Sequence, residues 1–255
     1  MGTAMCARGL EKYPEAIRLL KRCSTAYKNS RDKEGRAYAL WGLGTTQRFA
    51  GHLQQAERHL RQSLRLYAMS RDPGGLAYAR CGLGGTLRMR GRYGESEKLY
   101  RQACSVFKKL GDRFGEAYSH CGQGNALRMQ EKIQPALPHM AKAESLYRRL
   151  GQKGPLGFVL WSRAQADIFQ GKFKSAKKRL VESRRIFNSV NDPRGAVYCD
   201  LGEGQLYLSQ GLARHASFFR RALRKSQQLK LRFEQAHARR ALRLKKSPCK
   251  IIQIP

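Results

Sequence analysis

Apolar residues recur along the chain at three- and four-residue steps, as in Ala37, Leu40 and Leu43 and then Leu53, Ala56, Leu60, Leu64 and Tyr67. That spacing places the apolar side chains on one face of an α-helix. Breaks punctuate the pattern. Gly51, Gly91, Gly171 and Gly211 separate the two members of a helix pair, and Asp72-Pro73 and Asp192-Pro193 precede the next pair. Glycine suits the left-handed end of a helix, while Asp followed by Pro suits an N-cap with proline in the first turn. The pattern predicts helix pairs at 34–50/53–69, 74–90/93–109, 114–130/133–149, 154–170/173–189 and 194–210/212–229. Pro138, several residues into one of these helices, predicts a local kink or a late helix start, because proline removes a backbone donor and clashes with the preceding turn.

Both halves of each pair recur with a 40-residue period. The stretch GDRFGEAYSHCGQGNALRMQ at 111–130 has counterparts beginning at 31, 71, 151 and 191. This periodicity decides how its chemistry reads. His120 stands in a column with Leu40, Arg80, Leu160 and Asp200, and Cys121 in one with Trp41, Cys81, Trp161 and Leu201, so no metal-ligand set recurs. The paired glycines (42/44, 82/84, 122/124, 202/204) fall inside helices and no G-K-[ST] follows them, which excludes a phosphate loop. Each glycine in a helix interior costs roughly 1 kcal/mol relative to alanine, so close packing has to offset it. The second glycine of a pair is expected against the small column Ala56, Ser96, Ala136 and Ala176, and the first is expected to make room for the Tyr column of an adjacent repeat.

Composition narrows the partner. Fifty-one Lys and Arg against eighteen Asp and Glu give a formal charge of +33, which points to an anionic partner. The seven cysteines form no CxxC pair and are odd in number, which argues against a disulfide framework and for a reducing, cytoplasmic compartment. No apolar run approaches the ~18 residues of a membrane span, and no signal peptide opens the sequence. The histidines form no zinc spacing, and neither a Ser-His-Asp order nor a carboxylate pair stands out, so no enzymatic activity, metal or cofactor is expected.

The residues Leu43-Gly44 and Leu83-Gly84, the inter-helix Gly51, Gly91 and Gly171, the following Leu53, Tyr93 and Phe173, and the small residues Ala16, Ala56, Ser96, Ala136 and Ala176 resemble the tetratricopeptide repeat family in its 40-residue form. The GDRFGEA linker and Gly124-Asn125 are similar to the repeats of spindle-orientation adaptors and MalT-type regulators. The resemblance implies an all-α, right-handed superhelical solenoid of antiparallel helix pairs. It would run as one domain over 1–245, with a half-unit at 1–30, five pairs at about 34–229, a capping helix at 233–245 and a tail at 246–255. A residue is missing from the sixth unit, by the register in the helix near Phe218-Phe219-Arg220.

In that family the first helices line the inside of the superhelix, so positions i, i+3, i+7 and i+10 define its candidate surface. The stripes read Tyr38-Trp41-Thr45-Arg48, Tyr78-Cys81-Gly85-Arg88, Tyr118-Cys121-Asn125-Arg128, Phe158-Trp161-Gln165-Ile168 and Tyr198-Leu201-Gln205-Leu208, with no acid among them. Arg8, Arg48, Arg88 and Arg128 share a column, and one turn on come His52, Arg92, Lys132 and Lys172. The resemblance implies that Asn125 grips a peptide backbone, with Gln165 and Gln205 as partial substitutes and Thr45 and Gly85 as departures. The expected function is a non-enzymatic scaffold or adaptor holding an acidic or amphipathic peptide in a groove. Two alternatives stand beside it: nucleic-acid binding through the basic surface, and a regulatory module of a larger protein. The segment from Arg214 to Lys246 is the most basic of the chain.

Overall fold

A computed structural model describes residues 1–10 and 12–244. The expected tail at 246–255, and the last residue of the expected capping helix, lie outside them. Among the described residues there are helices and no strand: α1 (Gly2–Gly9), α2 (Tyr13–Asn29), α3 (Lys33–Phe49), α4 (Leu53–Ser70), α5 (Pro73–Met89), α6 (Tyr93–Leu110), α7 (Arg113–Met129), α8 (Ile133–Arg149), α9 (Lys153–Phe169), α10 (Phe173–Ser189), α11 (Pro193–Ser209), α12 (His215–Gln228) and α13 (Arg232–Leu242). They form two compact units, Met1–Ala126 and Leu127 onward. Within the first unit each helix from α1 to α6 packs on the next, and α3 also packs on α5; within the second the same holds from α8 to α13, with α9 on α11. Contact between alternate helices is the signature of stacked helical hairpins.

Turn chemistry explains the boundaries. Asp32, Asp72, Asp112 and Asp192 each accept a hydrogen bond from the backbone N–H three residues on, at 2.8–2.9 Å, capping α3, α5, α7 and α11. Gly51 takes φ +84° after α3, and His52 N–H donates to Gln47 O at 2.8 Å, closing the helix with a left-handed residue. At the equivalent point after α7 the left-handed residue is Glu131, φ +63°.

Small residues set the helix spacing. Ala16, Ala56, Ser96, Ala136 and Ala176 are fully buried, as are Ala37, Ala77, Ala117 and Val197 on the facing first helices. Gly44 meets the Ala56 column as expected, since a Cβ there would lie 3.0 Å from Ala56 O and 2.6 Å from Leu60 Cγ. The first glycine of each pair serves a different neighbour from the one expected. At Gly42, Gly82, Gly122 and Gly202 the space is taken by Leu20, Leu60, Tyr100 and Leu180, which come from the second helix of the preceding pair rather than from the Tyr column.

Two cross-links recur at the same register in each unit. Ser63 Oγ donates to Ala37 O at 2.8 Å, and Ser183 Oγ to Gly157 O at 2.9 Å. The Trp41 indole donates to Tyr78 O at 3.2 Å, and that of Trp161 to Tyr198 O at 2.8 Å. Each indole thus ties one first helix to the next, for about 1 kcal/mol per bond.

Two expectations are corrected. α8 begins at Ile133 in step with the other second helices, so Pro138 causes no late start. Pro138 and Gln134, whose carbonyl loses its partner, are both exposed, and water can take the place of the missing donor. The missing residue of the sixth unit lies before Phe219, because Phe219 already fills the place against Gly204 that Leu60 fills against Gly44. The irregularity is the turn at 212–214, where His215 N–H donates to Leu212 O and Ser217 N–H to Arg214 O, and α12 starts only at His215.

Candidate functional site

On the first-helix face of the N-terminal unit, α3 and α5 present an aromatic ladder. Tyr38 stacks on Trp41 at 5.5 Å between centroids, and Trp41 meets Tyr78 edge to face at 6.4 Å. The rings are partly open: Tyr38 is 41% exposed, and Trp41, Tyr78 and Tyr118 are half-buried. Tyr78 is anchored at its far end, where its hydroxyl donates to Asp112 Oδ2 at 2.7 Å. Burial first, and that carboxylate second, push the Tyr78 phenol well above its ordinary pKa, so it stays a neutral donor.

Cations flank the ladder. The guanidinium of Arg8 lies 5.3 Å from the Trp41 ring. Burial, and then the neighbouring charge of Arg48, pull Arg8 below the usual guanidinium value, a sign that two like charges share this face. Arg48 is 7% exposed, with its guanidinium over Phe49 at 4.6 Å and in the recess left by Gly85, where a Cβ would overlap its Nη1. Arg88 is half-buried, its Nε has no hydrogen-bond partner, and no carboxylate pairs with it among the described residues. Arg92 does not join this row. It pairs with Glu95 at 2.5 Å and with Glu57 at 3.0 Å, and Glu57 also holds Arg61 and Arg90. Asn125 is 7% exposed and its amide donates to Cys121 O at 3.1 Å, within its own helix.

The C-terminal unit fills the same columns differently. Trp161 is 2% exposed, Gln165 1%, Gln205 2%, Tyr198 7% and Arg128 3%. Arg128 lies over Trp161 at 5.7 Å, Phe158 packs on Phe187 at 4.7 Å, and Tyr198 packs on both Phe158 and Trp161. The Gln205 amide donates to Ser209 Oγ at 3.4 Å, and both amide atoms of Gln165 are buried without a hydrogen-bond partner. These residues form part of a packed interior. The structure therefore brings together Tyr38, Trp41, Tyr78 and Arg88 as an accessible face, adds Arg8, and withdraws Arg48, Asn125, Arg128, Trp161, Tyr198, Gln165 and Gln205 from solvent. Arg8 shares the register of Arg48 and Arg88, so the column already carried the signal for it.

The grouping of Cys104, His120 and Glu116 lacks the geometry of a nucleophile and its base. The Cys104 thiol is 3.6 Å from His120 Nε2, and Glu116 Oε1 is 3.9 Å from the same nitrogen. A base orienting a nucleophile uses its two ring nitrogens for the two partners, whereas here one nitrogen faces both, and Cys104 is buried. Cys81 is buried too, which pushes its thiol up to about 12. Among the described residues no group of His, Cys, Asp or Glu could hold a metal ion, and no helix is long and apolar enough to cross a membrane.

Stacked helical hairpins with small-residue seams and aspartate-capped first helices define a helical-repeat protein of the kind that serves as an interaction scaffold. The tetratricopeptide repeat model matches residues 2–69 and 75–149, more than half of the chain, and the chain belongs to that family. Comparison with curated proteins gave no match. Among solved structures the chain is similar to a Rap protein complexed with competence and sporulation factor, at 13% identity and a TM-score of 0.73, covering 94% of this chain and 72% of that one. It is also similar to aspartyl phosphate phosphatase F from Bacillus subtilis, at 12% identity and a TM-score of 0.65, covering 98% and 70%. BtubC from P. vanneervenii aligns at 16% identity with a TM-score of 0.61, covering 91% and 92%. At such identities the likeness is one of fold, an all-α helical-repeat solenoid.

Proposed function

We propose that the chain is a non-enzymatic adaptor that holds an acidic or amphipathic peptide against the first-helix face of its N-terminal unit. The observation that carries this reading is the half-open Tyr38–Trp41–Tyr78 ladder beside Arg8 and Arg88, on stripes that contain no acid. The rings offer apolar contact, and the half-buried guanidinium groups of Arg8 and Arg88 offer charge-assisted hydrogen bonds to carboxylates. A Rap protein of the same fold holds competence and sporulation factor, which supports the scaffold reading by analogy of fold alone.

The test is a titration of acidic peptides, by calorimetry at about 0.15 M salt so that long-range attraction is screened. Arg8→Ala combined with Arg88→Ala is expected to weaken the peptide by roughly tenfold or more, and Asn125→Ala to weaken it less, because that amide already serves its own helix. Unchanged peptide affinity in the double variant would show that the face is not the site.

A further inference from the structure

The last two helices carry a surface of another kind. Exposed cations run along them: Arg220 and Arg224 on α12, Lys230 in the turn, Arg232, Arg239 and Arg240 on α13, and Arg243 just after it. None of these is ion-paired among the described residues, whereas Arg221 and Lys225 of the same α12 turn inward onto Asp200. The sole acid between 204 and 244 is Glu234, which is 1% exposed and held by Arg194 at 2.7 Å. The outward face is therefore cationic without an opposing charge. Arg220 and Arg224 are one helical turn apart, about 6 Å along the axis, and Arg232 and Arg239 share one face of α13 by their spacing of seven.

A flat stacking element adjoins this face. The guanidinium of exposed Arg214 lies 3.7 Å from the centre of the Tyr207 ring, Tyr207 meets Phe218 at 5.1 Å, and Arg221 lies over Phe218 at 4.7 Å. Arg214 is thus held in face contact on one side and open to solvent on the other. A guanidinium plane so held is a platform for an unstacked base.

We propose that α12 and α13 form a binding surface for single-stranded nucleic acid, separate from the peptide face of the N-terminal unit. Cations at one-turn spacing neutralise successive phosphates, and the Arg214 platform takes a base. An anionic membrane fits less well, because a helix lying in a bilayer interface needs an exposed apolar face, and the one large exposed hydrophobic among described residues 211–244 is Leu212, in a turn. An acidic peptide read by an Arg cluster would use the charge alone and leave the Arg214 stack without a role, whereas an unstacked base uses both.

The experiment measures fluorescence anisotropy of a labelled oligouridylate of about 16 nucleotides, at several salt concentrations around 0.15 M. Arg220, Arg224, Arg239 and Arg240 are each replaced by Gln in one variant, which keeps helix propensity and touches no internal ion pair. The affinity is expected to fall more than about tenfold and the log–log salt slope to shrink by roughly 3, at about 0.7 for each phosphate no longer neutralised. Arg214→Lys keeps the charge and loses the plane, so it should weaken the oligonucleotide several-fold while leaving heparin binding unchanged. Arg8→Ala with Arg88→Ala should leave the oligonucleotide affinity unchanged, which separates this proposal from the peptide reading. A wild-type slope in the fourfold variant overturns the proposal, as does tighter binding to phosphatidylserine vesicles than to the oligonucleotide.

Discussion

The two tryptophans make the same hydrogen bond in two different settings. Trp41 and Trp161 each tie a first helix to the next through a backbone carbonyl, yet Trp41 sits in an open ladder with Tyr38 and Arg8, and Trp161 is sealed at 2% exposure. The columns around them differ in kind. Leu43 and Leu83 are buried apolar residues in the N-terminal unit. The same column in the C-terminal unit holds Arg163, which pairs with Glu144, and Glu203, which pairs with Arg184 at 3.0 Å. Beside it Asp200, fully buried, gathers Arg184 at 2.7 Å, Arg221 at 2.6 Å and Lys225 at 3.3 Å, in a column that holds leucine at 40 and 160. The repeat sets the backbone register, and it leaves open whether a seam is closed by methyl groups or by charge.

The largest effect is expected at that ionic seam. Burial alone would raise the Asp200 pKa, but hydrogen bonds from Arg221 and Arg184 overcome this and hold it below the carboxylate range. Asp200→Asn leaves three cations around a neutral amide and should cost about 3–5 kcal/mol in urea unfolding. A loss under about 1 kcal/mol would mean that the seam behaves like an exposed ion pair and that the contrast between the units is superficial.

Acid should act next, through α13. Burial, only partly opposed by Glu234, pushes His237 down to about 4, so the unfolded chain, with an ordinary histidine near 6.5, binds the proton more readily. The contribution is complete above pH ~6.5 and is lost as pH falls toward about 4, amounting to at most about 3 kcal/mol. His237→Leu should flatten that part of the stability-against-pH curve, and an unaltered curve would place the acid sensitivity elsewhere.

The smallest effect sharpens the comparison most directly. Trp161→Phe removes the indole bond and leaves a gap in a dry interior, for about 2–3 kcal/mol. Trp41→Phe removes the same bond where water can fill the space, for about 1 kcal/mol. Equal losses in paired thermal melts would show that the two settings do not differ energetically.

Much of this fold is legible in the amino-acid sequence. Gly51, Gly91 and the Asp-Pro pairs punctuate a strict period, and the helix boundaries fall within about a residue of the predicted ones from α3 to α11. The exception is α12, where the lost residue is absorbed by a turn that no period encodes. The candidate surface is half legible. The column of Arg8, Arg48 and Arg88 follows from the register, but exposure does not, since it depends on how neighbouring columns are filled: Tyr38 remains open while Tyr198 in the same column is closed over by Phe158, Trp161 and Arg194. The stripe misplaces Arg92 because its partners Glu57 and Glu95 lie on α4 and α6, outside the stripe itself. The Arg214–Tyr207–Phe218 stack is hidden from the period by the irregular turn that creates it.

The recess at Gly85 bears on how such a chain can be shortened or extended. The Arg48 guanidinium lies where the next repeat has no side chain. Excising residues 51–90 would preserve period, caps and small-residue seams, yet it would set Asn125 where Gly85 stood and make the flexible guanidinium leave its recess. Neighbouring copies are therefore matched parts rather than interchangeable modules, and a consensus version of this array would have to redesign residues 48 and 85 as a pair.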